Sequence, residues 1–349
     1  MSLTQSETGL DYERFVQQGG NQAMAFPWAN LQSRFLDSLD AVAKAQIFDL
    51  SAKMVPALDA WAARHPLIRR VRIWPLSISV AAAARFSSVD ALVSTAKVSL
   101  WVFTLDDVFD EELIQGSELM RRAEQYKGIA LDGEGIQEDD SLGIALSDVR
   151  DDLARYPLFH SIGEEWGNAL CGTIDGMIQE NNWRLSYQRE GATALPTYYD
   201  YVANGLYSIG GPPHIWAALI TTDDESTPQH LDHLRAMEHI ASACVRLAND
   251  LQSHEKEMSE GKINALVILA RELQENGMAA SEAYEAAEGR VYADIAHGLE
   301  RLAELQTAAV SKTGWPEAVT ADIARFVCEF YTQHDYHTFV LEGRGKTED

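Results

Sequence analysis

Hydrophobic residues recur at intervals of three, four and seven along most of this chain, the spacing that places them on one face of an α-helix. The clearest pattern covers residues 227–261, with Thr227 as the predicted N-cap, Pro228 at the first helical position and Gly261 at the end. Such a helix would run for roughly 30 residues, or about 45 Å at 1.5 Å per residue. Its predicted apolar stripe comprises Leu231, Leu234, Ile240, Cys244, Leu247 and Leu251.

The same periodicity appears elsewhere and predicts an all-α fold. Near the C-terminus, the stretch WPEAVTADIARFVCEFYTQHDYHTF carries a second stripe made of Val319, Ile323, Phe326, Val327 and Phe330. Neither strand alternation nor an internal repeat is evident, which favours a bundle of packed helices. Further helical patterns cover residues 31–62, 88–109, 142–155, 157–186, 264–275 and 281–312.

The least helical internal stretch is KGIALDGEGIQEDDS, residues 127–141. Its glycines and acids predict a loop of about fifteen residues, either an active-site lid or a mobile connection. The helical patterns on both sides look like parts of one bundle, so we expect a single domain over residues 26–349. Residues 1–25 carry no periodic signal and are expected to form a disordered segment.

Composition and charge restrict the class of protein. With 46% hydrophobic residues the chain is ordinary for a soluble globular protein, and its formal net charge of -25 disfavours nucleic acid as a partner. The N-terminal sequence lacks the pattern of a secretory signal, and no window is apolar enough for stable membrane insertion. A cytoplasmic protein is expected, with Cys171, Cys244 and Cys328 as buried thiols in a reducing compartment.

An acidic cluster, LDDVFDEE, follows an apolar helical run at residues 105–112. On a helix, Asp106 lies one turn from Asp110, and Asp107 lies one turn from both Asp110 and Glu111. Like charges at this spacing destabilise a helix unless a cation neutralises them. The cluster is therefore either a solvated helix end or part of a metal site, with Asp106, Asp107, Asp110 and Glu111 as the candidate ligands.

A second motif, NDLQSHEKE at residues 249–257, favours the metal site. Asn249, Ser253 and Glu257 follow one another at intervals of four, so their side-chain oxygens share one side of a helix. These are hard oxygen ligands of the kind that Mg²⁺ accepts, together with water and substrate phosphates. Lys256 and Arg246 could reach the same phosphates. A polar, water-facing stripe is the alternative interpretation.

The two motifs resemble those of class I terpene synthases. DDVFDE is similar to the aspartate-rich motif of that family, and NDLQSHEKE is similar to its ND(L/I/V)xSxxxE motif. Length, helical character, motif order and separation resemble a bacterial member with a single α domain. The resemblance implies a helical bundle around a central apolar cavity, and three Mg²⁺ ions that hold a prenyl diphosphate. It also implies that Asp106, with Asp110 or Glu111, binds two ions and that Asn249, Ser253 and Glu257 bind the third.

The reaction implied by the resemblance is loss of diphosphate from an allylic carbon, followed by cyclisation of the carbocation to a terpene hydrocarbon or alcohol. A cavity for this reaction excludes water and presents aromatic faces to positive charge. YVANGLYSIGGPP, residues 201–213, is expected to interrupt a helix at Gly210 near the leaving group, with a plain turn between helices as the alternative. The aromatic residues expected to line the cavity are Trp101, Phe103, Trp216, Phe330 and Tyr336, with ordinary core packing as the alternative for each.

Two departures from the family pattern concern the diphosphate. Many bacterial relatives carry an arginine about 46 residues before the Asn/Ser/Glu motif, where this chain has residues 203–205, Ala-Asn-Gly. The Arg–Tyr pair of such relatives corresponds here to Asp335 and Tyr336, which leaves Tyr336 as a candidate diphosphate ligand. The cations that could compensate are Arg246, Lys256, Arg184 and the RRVR cluster at residues 69–72.

Two alternative functions remain open from sequence. A chain-elongating prenyl transferase would show a second aspartate-rich motif in place of NDLQSHEKE. A non-catalytic helical scaffold could hold metal through the same acidic residues. Among substrates, geranylgeranyl diphosphate is favoured over farnesyl diphosphate, and the resemblance suggests a homodimer.

Overall fold

The structure is a computed structural model that describes residues 33–110, 114, 116–334 and 336. The predicted disordered segment at residues 1–25 lies outside the described residues. Within the described residues every regular element is helical, which confirms the all-α prediction. The helices are α1 (Arg34–Asp37), α2 (Ala41–Ala62), α3 (Ile73–Ala83), α4 (Val89–Asp110), α5 (Gly116–Asp132), α6 (Ser141–Ala154), α7 (Phe159–Glu190), α8 (Tyr198–Ser208), α9 (Gly211–Ile220), α10 (Leu231–Ser259), α11 (Ala265–Glu275), α12 (Ala280–Thr307) and α13 (Trp315–Tyr331).

One contiguous hydrophobic core extends from Leu36 to Tyr336. The long helix α10 packs along α13, α12 and α8, while α4 packs against α3 and α9. Both predicted apolar stripes face this core, with Leu234 and Val319 fully buried. Burial of such side chains contributes roughly 1.5–3 kcal/mol each and stabilises the bundle. The prediction of a single domain over residues 26–349 stays a prediction.

The start of α10 differs from the prediction. Thr227 is not the N-cap of this helix, because residues 227–229 form a 3₁₀ turn and α10 begins at Leu231. The Asp224 carboxylate accepts hydrogen bonds from the backbone N–H and the hydroxyl of Ser226, which fixes the preceding turn. The carboxylate thus holds the chain in a tight turn before the α-helix begins.

The predicted loop at residues 127–141 is shorter than expected. Helix α5 continues to Asp132, because Tyr126, Ile129 and Ala130 form a buried stripe at helical spacing. Gly133 then adopts a left-handed conformation with φ of 76° and ends the helix. The irregular segment is therefore confined to residues 133–140.

The interruption predicted within residues 201–213 is present. Helix α8 ends at Ser208, and α9 starts at Gly211 with prolines in its first turn. Gly210 joins them in the left-handed conformation, with φ of 73° and ψ of 11°. A Cβ atom at this position would lie 2.3 Å from Cγ1 of Val102 on α4. Both the backbone conformation and the close approach therefore require glycine.

The three cysteines are free thiols in the structure. Cys244 and Cys328 are buried and Cys171 is half-buried. Burial raises the pKa of the Cys244 thiol to about 12, so it stays protonated at neutral pH.

Candidate functional site

A cavity of about 380 Å³ lies between α3, α4, α7, α9, α10 and α13. Helix α4 contributes one face of residues at helical spacing, beginning deep in the cavity and ending at its acidic terminus. The α4 residues that line the cavity are Ser99, Val102, Phe103, Asp106 and Phe109.

Helix α10 contributes the opposite wall, and its polarity changes along its length. Small and apolar residues, including Ser242 and Val245, line one part, and Asn249, Ser253 and Glu257 line the following turns. Asn249 is seven residues beyond Ser242, which is about 10 Å along the helix. The cavity therefore has a polar end and a less polar end.

Asp106 and Asp107 point in different directions, as expected for successive residues on a helix. Asp106 lines the cavity. Asp107 is 4% exposed, lies outside the cavity wall and receives a bidentate pair of hydrogen bonds from Arg72, at 2.5 and 2.7 Å. This corrects the prediction of a metal ligand at Asp107, because its carboxylate is committed to a buried ion pair. The side chains of the predicted ligands Asp110 and Glu111 lie outside the described residues.

Asn249, Ser253 and Glu257 line the cavity together with Asp106, so the structure brings the two sequence motifs to one site. The Ser253 hydroxyl donates to the backbone carbonyl of Asn249 at 2.8 Å, which leaves its oxygen lone pairs available. Asn264, the N-cap of α11, donates to Oε2 of Glu257 at 2.8 Å. Burial raises the pKa of Glu257 above its ordinary value, against the attraction of Arg246.

Arg246 lines the cavity but is engaged in a buried network. Its guanidinium forms ion pairs with Glu180 at 2.9 Å and Asp250 at 3.2 Å, and it contacts the Tyr201 hydroxyl. Burial raises the pKa of Asp250 to about 7, partly offset by the charge of Arg246. Arg246, predicted to bind diphosphate, therefore also neutralises the acidic groups beneath the polar end.

Several cations surround the polar end of the cavity. Arg184 from α7 and Lys256 and Lys262 all line it. The RRVR cluster does not, because Arg70 pairs with Asp59 and Arg72 pairs with Asp107. Of the cations predicted from the sequence, Arg184, Lys256 and Arg246 therefore lie at this end. Lys262 also lies there and was not predicted.

Three of the predicted aromatic lining residues lie elsewhere in the core, which corrects those predictions. The indole N–H of Trp101 donates to the carbonyl of Leu142 at 2.8 Å, away from the cavity wall. The Trp216 side chain hydrogen-bonds to the buried Glu238, and Phe330 stacks on Tyr336 with centroids 4.4 Å apart. Their polar groups or ring faces find partners inside the bundle, as expected for large buried aromatics.

Phe103, Gly210 and Tyr336 do line the cavity. The Tyr336 hydroxyl lies 2.5 Å from the Ser79 hydroxyl, and burial raises its pKa. It is therefore a neutral hydrogen-bonding group in the wall. Its predicted contact with diphosphate stays a prediction.

His214 lines the cavity and was not singled out from sequence. Its Nδ1 atom lies 2.5 Å from the Ser99 hydroxyl of α4. Burial lowers the pKa of His214 to about 4, so the ring is neutral at neutral pH. The sequence offered one indication of its role, namely its position four residues after Gly210. The first turn of the helix that follows this interruption faces the cavity.

The donor set at the polar end fits a hard divalent cation. Within the described residues no three His, Cys, Asp or Glu side chains converge as a metal site on their own. The ligands would instead combine carboxylates with amide and hydroxyl oxygens, from Asp106, Asn249, Ser253 and Glu257. This mixture of hard oxygens is typical of Mg²⁺, which completes its shell with water and phosphate.

Comparison with known proteins identifies the family. A family model described as terpene synthase family 2, C-terminal metal binding, matches residues 97–296. The chain belongs to the terpene synthase family. The matched region begins before the acidic end of α4 and extends beyond α10, so it includes both motifs.

Individual terpene synthases are more distant. The chain is 24% identical over 264 residues to bifunctional cis-abienol synthase, chloroplastic, from Abies balsamea, covering 72% of this chain and 27% of that one. It is 24% identical over 245 residues to ent-isokaur-15-ene synthase from Oryza sativa subsp. indica, covering 65% and 28%. The chain thus spans less than a third of the length of these relatives.

Solved terpene synthase structures share the fold. Linalool/nerolidol synthase from Streptomyces clavuligerus, in complex with 2-fluorogeranyl diphosphate, superposes with a TM-score of 0.59 at 17% identity, covering 82% of this chain and 97% of that one. Isoprene synthase from grey poplar leaves gives a TM-score of 0.63 at 17% identity, covering 87% and 58%. The likeness confirms the class I terpenoid synthase fold. None of the helices described has the length and apolar character needed to cross a bilayer.

Proposed function

We propose that this protein is a class I terpene synthase that ionises a linear prenyl diphosphate in the presence of Mg²⁺ and cyclises the resulting carbocation. The observation that carries this proposal is the shared cavity, which Asp106 lines from α4 and Asn249, Ser253 and Glu257 line from α10. The oxygen ligands lie at one end of the cavity, and less polar walls continue beyond them. Charge separation at one end and a protected hydrocarbon chain beyond it are what this reaction requires.

Asp106, Asn249, Ser253 and Glu257 would hold the metal, for which we propose three Mg²⁺ ions, with Asp110 and Glu111 as further ligands. Bound Mg²⁺ supplies Lewis-acid stabilisation of the departing diphosphate. Arg184, Lys256 and Lys262 line the cavity and would bind the diphosphate oxygens through charge-assisted hydrogen bonds. The Asn264 amide orients Glu257 by donating to its carboxylate.

The deeper walls would enclose the hydrocarbon chain. Val102, Phe103, Ile215 and Val245 present apolar surface, and the Phe103 ring offers a face for positive charge. We favour geranylgeranyl diphosphate over farnesyl diphosphate as substrate. The two plant relatives described above are named as synthases of cis-abienol and ent-isokaur-15-ene. Both names refer to diterpenes, which supports the C20 substrate geranylgeranyl diphosphate.

The test is incubation of the protein with C10, C15, C20 and C25 prenyl diphosphates and Mg²⁺. Diphosphate release would be measured directly and the products analysed by mass spectrometry. We expect magnesium-dependent release, highest with the C20 substrate, and a cyclic hydrocarbon or alcohol. A scaffold protein would release no diphosphate, and a chain-elongating prenyl transferase would need isopentenyl diphosphate and form a longer diphosphate.

Variants connect the activity to the site. Asp106→Ala and Asn249→Ala should each reduce diphosphate release by ~10²–10³-fold or more, with unchanged helical circular dichroism. The matched controls are Asp90→Ala, at the exposed start of α4, and Asn182→Ala, at an exposed position of α7. Wild-type rates in both site variants would exclude the proposed role of these ligands.

The charge of the protein and its family resemblance bear on its location and its oligomeric state. We propose a cytoplasmic protein without stable membrane insertion and with no nucleic-acid partner, consistent with the net charge of -25. A homodimer is proposed from the family resemblance. Size-exclusion chromatography with light scattering would measure the oligomeric state directly.

A further inference from the structure

His214 and Ser99 form a polar pair in the wall of the cavity, apart from the metal ligands. His214 belongs to the first turn of α9, and its Nδ1 atom lies 2.5 Å from the Ser99 hydroxyl on α4. Among the described residues, Nε2 of His214 forms no hydrogen bond, and this atom is not sealed from solvent. The second ring nitrogen is therefore accessible from the cavity.

The position of this pair relative to the polar end follows from helix geometry. Ser99 precedes Asp106 by seven residues, which places it about 10 Å away along α4. On the opposite wall, Ser242 precedes Asn249 by the same number of residues. A Cβ atom on Gly211 would lie 2.5 Å from the Ser242 hydroxyl, so the start of α9 is at the level of Ser242. His214 therefore lies about two helical turns below the metal ligands.

At this depth a side chain contacts the hydrocarbon part of a substrate and not its diphosphate. His214 is the only imidazole among the described residues that line the cavity. Of the carboxylates in the cavity wall, Asp106, Glu257 and Glu260 belong to its polar end. Glu180 lies beneath that end, where Arg246 neutralises it and the Ser208 hydroxyl donates to it. Because burial keeps the ring neutral, it can accept a proton without first losing one.

We propose that His214, positioned by Ser99, is the base that ends the carbocation reaction by removing a proton, an inference that rests on the proposed function. The Nδ1–H group donates to the Ser99 oxygen, which leaves the lone pair of Nε2 directed to the cavity. A C–H bond next to the cationic carbon breaks, its proton passes to Nε2, and its electron pair forms the new C=C bond. The imidazolium ion then returns its proton to the released diphosphate or to water when the product leaves. The product is an alkene, and no oxidant or reductant is needed.

The experiment separates ionisation from termination. Diphosphate release and product composition would be measured in the same reactions for wild-type enzyme, His214→Gln and His214→Ala, with the preferred prenyl diphosphate and Mg²⁺. Glutamine retains the capacity to hydrogen-bond to Ser99 but is not basic. His160→Gln, at an exposed position of α7, is the matched control and should give wild-type products.

We expect His214→Gln to release diphosphate within about threefold of the wild-type rate, because ionisation occurs at the other end of the cavity. The fraction of the main wild-type alkene should fall by about tenfold or more, with alcohols or isomeric alkenes in its place. Added imidazole should restore the original alkene in His214→Ala and leave the wild-type products unchanged. Such rescue would not follow from a purely structural role.

Several outcomes would overturn the proposal. One is an unchanged product composition in His214→Gln, and another is loss of diphosphate release in a variant that remains folded. If the His214 variants fail to fold, Ser99→Ala provides the test. Removal of the hydroxyl that accepts from His214 should change the ratio of alkene products. An unchanged ratio would contradict the proposal. Absence of diphosphate release by the wild-type protein would instead overturn the proposed function itself.

Discussion

Arg72 and Asp107 form a bidentate ion pair inside the protein, with both side chains at most 5% exposed. The pair fixes the acidic end of α4 against the turn before α3, while the preceding residue, Asp106, lines the cavity. Two adjacent aspartates therefore have different tasks, one anchoring the helix and one facing the site.

Removal of Asp107 should destabilise the protein strongly. Asp107→Ala leaves the buried guanidinium of Arg72 without its main partner, which costs about 3–5 kcal/mol. Urea denaturation would measure this loss. Asp49→Ala, which breaks the exposed pair with Lys53, is the control and should cost less than ~1 kcal/mol. A similar small loss for Asp107→Ala would contradict the anchoring role.

Asn264 should tune metal affinity through Glu257. Asn264→Ser retains a good N-cap for α11 but loses the amide donor to the Glu257 carboxylate. The same amide donates to the buried backbone carbonyl of Asp250 at 2.9 Å, so we expect a stability loss of about 1–3 kcal/mol. We also expect a rise of about 10–100-fold in the Mg²⁺ concentration that gives half-maximal activity of the folded variant. Magnesium titrations at saturating substrate would measure this rise. An unchanged titration would show that Glu257 needs no orientation by Asn264.

Glu238 should make stability depend on pH. This carboxyl group is 2% exposed, and burial raises its pKa to about 7, against hydrogen bonds from Trp216 and Ser242. The folded state retains a proton that the unfolded state releases, so the free energy of unfolding falls as pH rises from 4.5 to about 7. The loss is about 3 kcal/mol at 1.36 kcal/mol per pKa unit.

Glu238→Gln should remove this loss, because the amide carries no charge to bury. The variant should match the wild type near pH 5 and exceed its stability near pH 8, as measured by urea denaturation at both values. Glu285→Gln, at an exposed position of α12, should retain the wild-type pH dependence. Equal pH dependence in Glu238→Gln and wild type would exclude Glu238 as its source.

Gly210→Ala should disturb the start of α9. The added Cβ would lie 2.3 Å from Cγ1 of Val102, so overpacking costs about 1–3 kcal/mol beyond the left-handed backbone penalty. Gly314→Ala is the matched control, because Gly314 has nearly the same backbone angles but its nearest contact would be at 3.8 Å. Thermal denaturation would compare the two. Equal losses would show that the contact with Val102 has no cost.

Arg184 should act on the diphosphate. Arg184→Ala removes a cation from the polar end of the cavity and should lower kcat/KM by about 10–100-fold, by weakening charge-assisted hydrogen bonds. Arg189→Ala, five residues later at an exposed position of α7, should have no comparable effect. Steady-state measurements of diphosphate release would compare the two variants.

Periodicity predicted most of the amphipathic helices, although it missed α5 (Gly116–Asp132), and it failed for the buried helices. Helix α3 was missed because ten of its eleven residues are buried, from Ile73 to Ala83, and a helix that is apolar on all sides shows no stripe. Helix α9 was missed for the same reason, since most of its residues are buried. Tertiary packing, and not local pattern, forms these two elements.

The candidate site was predicted where spacing fixes direction. Asn249, Ser253 and Glu257 share a face by their spacing of four, and the structure places all three on the cavity wall. The direction of a single aromatic ring depends on neighbours far along the chain, so Trp101 and Trp216 were misplaced. His214 had no motif, because its role depends on a contact with α4 that sequence does not show.

The polarity gradient along α10 constrains how new specificities could arise in this protein. Helix α10 is continuous and carries both Ser242 and the polar turns that begin at Asn249. A tilt or rotation of this helix would therefore alter both ends of the cavity together. The ten-residue helix α9 reaches the cavity separately, through a joint at Gly210. Substitutions around that joint should change the shape of the cavity and leave the proposed metal ligands in place. The joint is therefore a suitable starting point for directed evolution of the product.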